Sequence, residues 1–149
     1  MLGISNECIS KGIEKAYLPG RFERAEENVI IDGAHNIDGA KALVSNLKQL
    51  DYKRLILVAG MLENHSCDDF FAQLRDMADI CVVTKSKFFR ATLVDKIYAS
   101  AVKYFPAVFK ADTVPLAVEK AKSFAEEGDL ILVTGSFYTI GEYERPSTS

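Results

Sequence analysis

The sequence has 149 residues, of which 48% are hydrophobic and 26% are charged, as is ordinary for one globular domain with its own core. A formal net charge of -3, without a Lys/Arg cluster interleaved with aromatic residues, argues against nucleic acid as a partner. No apolar run approaches about 18 residues, so no membrane-spanning segment is expected.

The segment at residues 6–17 has the pattern of a short helix that does not belong to the alternation that follows it. Leu-Pro-Gly at 18–20 then predicts a rigid turn, because proline fixes φ and glycine can adopt a left-handed conformation. We therefore expect a trailing helix and linker over residues 1–17 and a folded domain over residues 18–144. Residues 145–149 lack periodicity and are expected to form a flexible tail.

Short β-branched runs alternate with amphipathic runs along residues 18–144. The apolar runs are continuous, as expected of strands that are covered on both faces. Helices are predicted where apolar residues recur every three or four positions behind a capping residue. The charged run ERAEEN at 23–28 is interpreted as a solvated loop. The predicted strands cover residues 28–32, 54–60, 80–84, 107–110 and 129–136, and the predicted helix caps are Asn36, Ser66, Thr92 and Thr113.

This alternation indicates right-handed crossovers and a mostly parallel sheet. In such sheets, ligands bind beyond the carboxyl ends of the strands. Three polar clusters fall at predicted strand ends: DGAHN at 32–36, GMLENH at 60–65 and TGSFY at 134–138. Their convergence is the main functional indication that spacing alone provides.

Known phosphate-binding loops do not match the first cluster. A Walker A loop fails because five residues separate Gly33 from Gly39, and Ala40 stands between Gly39 and Lys41. The dinucleotide fingerprint G-x-G-x-x-G fails as well, since His35 occupies the position of its second glycine. Neither a G-x-S-x-G elbow nor a cluster of zinc ligands is present in the sequence.

Each polar residue at these strand ends also has a purely structural interpretation. Asp32 could cap the turn that follows it, and His35 could be a turn or surface histidine. Ser136 could satisfy backbone groups at the edge of the sheet, and Arg21 could be a surface charge. The residues alone leave these alternatives open.

The cysteines Cys8, Cys67 and Cys81 have neither the spacing of a disulfide framework nor that of a CxxC metal site. Cys81 lies within an apolar run and is interpreted as a small buried residue. The N-terminus has no secretory signal pattern. Together these features predict a reduced, cytoplasmic protein.

LPGRFE at 18–23, VIIDGAHN at 29–36, VAGML at 58–62 and LVTGSFYTIGE at 132–142 occur in this order along the chain. In combination they resemble the C-terminal domain of folylpolyglutamate synthases, including the bifunctional dihydrofolate synthase forms, within the Mur ligase family. The resemblance runs from about residue 12 onward. It implies an α/β fold, a Rossmann-like three-layer domain whose mostly parallel sheet, with one antiparallel strand, is flanked by helices.

The resemblance also implies part of an ATP-dependent amide ligase that adds L-glutamate to folates through an acyl phosphate. The other part would be an N-terminal ATPase domain that carries the P-loop and most of the magnesium ligands, with residues 1–17 as its trailing helix. By the same resemblance, Arg21 would approach the ATP phosphates and Asp32 would bind the ribose hydroxyls. His35 would lie near the transferred phosphate and the glutamate, and Ser136 near the glutamate. The domain alone would be inactive.

One loop departs from the resemblance. After GML, many relatives have an acidic or polar residue followed by Lys-Asp, whereas this sequence has ENHSCDD, with His65 and Ser66 at those positions. The resemblance therefore assigns no role to this loop, and His65 is not among the expected site residues. Two other functions stay open: a stand-alone Rossmann-like module that binds a small molecule or regulates, and half of a Mur ligase acting on a peptidoglycan precursor.

Overall fold

The computed structural model describes residues 21–144, which form one six-stranded sheet covered by helices on both faces. The strands, numbered in chain order, are β1 (Glu23–Glu26), β2 (Val29–Asp32), β3 (Leu55–Ala59), β4 (Ile80–Val83), β5 (Ala107–Lys110) and β6 (Leu130–Thr134). The helices are α1 (Ile37–Leu47), α2 (Cys67–Leu74), α3 (Val94–Ala101), α4 (Val114–Phe124) and α5 (Phe137–Glu144).

The strand order is β1-β2-β6-β3-β4-β5, and every neighbouring pair is parallel except β1 with β2. The α/β fold with a mostly parallel sheet is therefore confirmed. Asp32 of β2 and Ala59 of β3 both pair with Thr134 of β6. The carboxyl ends of these three strands consequently lie side by side, and we call this edge of the sheet the rim.

Alternation along the strands divides the core into two layers. Leu57 and Leu132 point to the face covered by α1, α2 and α3, whereas Val58 and Val133 point to the face covered by α4 and α5. All four side chains are fully buried. Strands that are apolar on both faces follow from this double covering. Cys81 lies in the first layer with no exposure, as its sequence context predicts.

Two local predictions are wrong. The charged run predicted as a solvated loop contains β1, which extends the sheet as an antiparallel edge strand with Glu26 exposed. Helix α5 is not predicted at all, because its glycine and short apolar stripe give a weak helical signal.

Thr92 does not cap α3, contrary to the sequence pattern. The Thr92 amide donates to the Met61 carbonyl oxygen, 2.8 Å away, and Ala91 forms a bridge with Leu62. These contacts keep the backbone extended, so α3 begins at Val94 without a side-chain cap. The other three predicted caps, Asn36, Ser66 and Thr113, each accept a hydrogen bond from the first turn of their helix.

The predicted helix and linker at 1–17, the turn at 18–20 and the tail at 145–149 lie outside the described residues. Over residues 21–144, none of the helices has the length and apolar character needed to cross a bilayer.

Candidate functional site

Asp32 ends β2 at the rim and is 9% exposed. Its Oδ1 accepts a hydrogen bond from the Ala34 amide at 2.8 Å, and its Oδ2 accepts one from the Phe22 amide at 3.0 Å. Burial raises the pKa of the Asp32 carboxyl, although these two hydrogen bonds and the charge of Arg21 act to lower it. A carboxylate has about four acceptor positions, so each oxygen can accept a further hydrogen bond from a ligand.

The hydrogen bond to Phe22 gives Asp32 a structural role that the sequence did not reveal. Phe22 has a φ of 45°, in the left-handed region that a bulky residue rarely adopts. Its ring is buried and its amide is held by Asp32, so the strained conformation is fixed from both sides. Asp32 thereby positions the backbone next to Arg21, the residue that precedes Phe22.

Arg21 is exposed at the start of the described chain. Its guanidinium carbon lies 5.7 Å from the centre of the Phe137 ring, in the first turn of α5. The ring centres of Phe137 and His35 are 6.5 Å apart, in an edge-to-face arrangement. Arg21, His35 and the beginning of α5 therefore lie close together at the rim.

His35 follows β2 in the turn before α1 and is partly exposed. Its Nδ1 lies 3.0 Å from the Gly33 carbonyl oxygen. Because a carbonyl can only accept, Nδ1 carries the proton in this contact, and in the neutral ring Nε2 then carries the lone pair. The next residue, Asn36, caps α1 by accepting from the Gly39 amide at 2.8 Å.

Ser136 lies at the rim, two residues beyond the end of β6, and is 1% exposed. Its Oγ accepts from the Thr139 amide at 3.0 Å and contacts the Thr139 hydroxyl at 2.9 Å. The Thr139 hydroxyl in turn donates to the Gly60 carbonyl oxygen at 2.9 Å. The Ser136 hydroxyl therefore caps α5 and, through Thr139, connects α5 to the end of β3.

His65 is the residue at the rim that the sequence did not select. The centres of the His35 and His65 rings are 4.3 Å apart, with the planes inclined by 45°. Burial, and secondarily the charge of His35, lowers the pKa of His65 below 6.5. A histidine in the strand-end cluster GMLENH was the available signal, but its distance from His35 depends on how the loop folds.

A polar groove of about 390 Å³ opens beside the two imidazoles. Asp38 and Asp69 on the first turns of α1 and α2 lie along it with Asn64. Over the described part of the chain, no group of three or more His, Cys, Asp or Glu side chains is placed to hold a metal ion. The rim thus offers a guanidinium, the Asp32 carboxylate, two imidazoles and a capped helix, with two further carboxylates along the groove.

A family model described as "Mur ligase, glutamate ligase domain" matches residues 20–137 of this chain. The chain is also 32% identical over 143 residues to a probable bifunctional folylpolyglutamate synthase/dihydropteroate synthase of Haloferax volcanii. That match covers 93% of this chain and 17% of the relative.

Solved structures give the same picture. Mycobacterium tuberculosis folylpolyglutamate synthase complexed with ADP superposes with a TM-score of 0.82 at 30% identity, over 89% of this chain and 33% of that one. A bifunctional folylpolyglutamate synthase/dihydrofolate synthase with Mn, AMPPNP and L-glutamate bound gives 0.76 at 28% identity, over 93% and 34% of the two chains. The chain thus spans about a third of the solved relatives and a sixth of the Haloferax protein.

Proposed function

Because the chain belongs to the Mur ligase family as a glutamate ligase domain, we propose that it is the C-terminal part of an ATP-dependent ligase that adds L-glutamate to folates. The observation that carries the proposal is the rim. Two adjacent strand ends, those of β2 and β6, bring Asp32, His35 and Ser136 to one edge, in a fold shared with folylpolyglutamate synthases. ATP would supply the phosphoryl group that activates the folate carboxylate.

On the nucleotide side, Asp32 would accept hydrogen bonds from the ribose hydroxyls through the acceptor positions that Phe22 and Ala34 leave open. Arg21 would stabilise charge on the phosphates, since a guanidinium is always protonated and donates in a fork. Arg21 directly precedes Phe22, whose amide donates to Asp32. This connection would keep the phosphate contact of Arg21 and the ribose contact of Asp32 at a fixed spacing. The solved relative complexed with ADP supports an adenine nucleotide as a ligand of the full enzyme.

On the amino-acid side, His35 would lie between the transferred phosphate and the incoming glutamate. Ser136 would act next to the glutamate by fixing the first turn of α5, where backbone N–H groups favour an anion. The burial of its hydroxyl makes this helix-capping role the one that its geometry supports. The solved relative with bound L-glutamate supports the choice of amino acid.

The missing partner would be an N-terminal ATPase domain of the same enzyme, which would hold the P-loop and the magnesium ligands. An aromatic patch of Phe88, Phe89, Phe137 and Tyr138 supports a contact on this side of the domain. Phe89 is 80% exposed, and Phe88 stacks on Tyr138 with ring centres 3.8 Å apart. Clustered exposed aromatic side chains are typical of interfaces rather than of free surface.

The proposal is tested by joining this chain to the ATPase domain of a relative and measuring ATP-dependent incorporation of labelled glutamate into a folate. We expect activity in the fusion and none in the chain alone. Asp32→Asn and His35→Gln should each lower kcat/KM at least about tenfold, through lost contacts to ligand. Asp51→Asn, an exposed residue before β3, is the matched control and should change nothing.

Two results would contradict the proposal. One is a fusion that hydrolyses ATP yet transfers no glutamate. The other is tight binding of an unrelated small molecule by the chain alone, which would favour the stand-alone module.

A further inference from the structure

We propose that His65 is a positioning residue for His35. By packing against the His35 imidazole, the His65 ring keeps it in one orientation and one tautomer beside the groove. The inference relies on the proposed function only where it treats His35 as the group that acts on the substrate.

The first contact that restrains the His35 ring comes from its own turn. The Gly33 carbonyl oxygen accepts from Nδ1, which selects one tautomer but leaves the ring free to pivot about that single contact. Phe137 meets the ring only at a distance, with centres 6.5 Å apart. A second close contact is therefore needed to fix the plane of a ring that is partly exposed.

His65 supplies that contact. Its ring centre is 4.3 Å from that of His35, so the two rings are in direct contact and lie closer together than the rings of His35 and Phe137. The two rings also border the same groove, so the His65 ring occupies part of the space beside the His35 ring. The pair restricts His35 more than either contact does alone.

The loop that carries His65 is itself fixed. The His65 amide donates to the Leu62 carbonyl oxygen at 3.1 Å, and the Glu63 amide donates to the Arg90 carbonyl oxygen at 2.9 Å. Directly after His65, Ser66 caps α2 by accepting from the Asp69 amide at 3.1 Å. His65 is thus placed by backbone contacts before, at and after its own position, as a positioning residue requires.

The lowered pKa of His65 is consistent with a positioning role that does not need a charge. The pKa of His65 is lowered by burial and then by His35, which favours the uncharged form of His65 at neutral pH. The carboxylates of Asp38 and Asp69 border the same groove, and that of Glu63 lies in the same loop. We therefore attribute the effect of His65 on His35 to the shape of its ring rather than to its charge.

The chain suits a direct test, because His35 and His65 are the only histidines among its 149 residues. Nitrogen-detected imidazole NMR of the chain reports the tautomer of each ring, and His35→Gln or His65→Phe leaves one ring to assign. We expect His35 in wild type to be in the Nδ1–H form. His65→Ala should shift it toward a tautomer mixture with averaged signals, whereas His65→Phe, which keeps a ring, should preserve the wild-type state.

Asn64→Ala, one position earlier in the same loop, is the matched control and should leave the His35 signals unchanged. An unchanged His35 tautomer in His65→Ala, with a native amide spectrum, would overturn the inference. Should His65→Ala fail to fold, His65→Asn provides the same comparison without a ring.

A kinetic measurement on the fusion separates positioning from substrate binding. His65→Ala should lower kcat about tenfold while the KM for glutamate stays within about twofold, and His65→Phe should retain most of the kcat. A rise in KM alone would overturn the positioning role and make His65 a ligand of the substrate. The NMR result needs no ligase activity, so failure of the proposed function and failure of this inference remain distinguishable.

Discussion

Gly135 passes so close to Gly60 that a Cβ on Gly135 would lie 2.9 Å from the Gly60 carbonyl carbon, and closer still to its oxygen. Gly135 also has a φ of 113°, which side chains rarely adopt. This close passage lets the chain leave β6 and enter α5 across the end of β3. It therefore determines where Ser136 and the first turn of α5 stand at the rim.

Gly135→Ala should destabilise the domain by at least about 2 kcal/mol, because it adds backbone strain and a clash with Gly60. Gly141→Ala is the matched control: nothing lies within 4 Å of its added Cβ, and it sits inside α5. This control should stabilise the domain by about 0.5–1 kcal/mol. Urea denaturation measures both, and equal effects of the two substitutions would contradict the close passage.

Leu57→Ala should lower the free energy of unfolding by about 2–5 kcal/mol, since it opens a cavity in the first core layer. Leu57 lies in the middle of β3 with no exposure. Leu116→Ala, at a position in α4 that is 51% exposed, should cost less than about 0.5 kcal/mol. Chemical denaturation of the two variants gives the comparison, and a small loss at Leu57 would be inconsistent with its burial.

The ion pair of Arg54 with Asp129, 2.7 Å between Nη2 and Oδ2, should contribute stability that depends on pH. Although burial acts to raise it, hydrogen bonds from Arg54 and Glu126 hold the pKa of Asp129 below 3.8. A lowered folded pKa gives stability that is complete above the ordinary value and lost as the pH falls through the folded value.

Asp129→Asn should therefore cost about 1–2 kcal/mol at pH 6, reduced by solvent screening because the Arg54 side chain is 37% exposed. The difference from wild type should shrink below about pH 4. Unfolding measured between pH 6 and pH 2.5 tests this, and a constant difference would contradict it.

Asp32 should show the opposite pH dependence. Its pKa in the folded chain is raised above 3.8, chiefly by burial, so the folded state binds the proton more tightly than the unfolded state. Its contribution is then most favourable below the ordinary pKa and declines as the pH rises through the folded value. Asp32→Asn disrupts the pair of amide contacts at every pH but removes this decline. The stability of the variant relative to wild type should therefore improve from pH 3 to pH 7, as thermal unfolding would record.

The parallel strands of the sheet could be predicted from the sequence because their signals are local. Runs such as that around Leu57, and caps such as Asn36, need only a few neighbours to be recognised. The same reasoning failed at Thr92, where the capping pattern is present but a hydrogen bond to Met61 keeps the backbone extended. It failed at β1 because a charged run becomes a strand only through pairing with β2.

The candidate site likewise contains features that the sequence could predict and features that it could not. The clusters that contain Asp32, His35 and Ser136 could be located because each lies at the end of a recognisable strand, and parallel strands place their carboxyl ends on one edge. The choice of these residues within the clusters came from the family resemblance. The contact of His65 with His35 could not be predicted, since it depends on a loop that Arg90 and Leu62 hold in place.

By itself, the sequence determined the alternation of strands and helices, and hence the fold class and the edge of the sheet where polar residues gather. The tertiary structure alone decided which of those residues touch: that Asp32 holds the amide of Phe22, that Ser136 is connected through Thr139 to Gly60 at the end of β3, and that two imidazoles pack together. The physical reason is the separation along the chain of the residues that make each contact. Periodicity and helix capping are set by residues a few positions apart, whereas these contacts join different strands and the segments next to them, whose meeting is fixed only when the sheet and both helical layers pack.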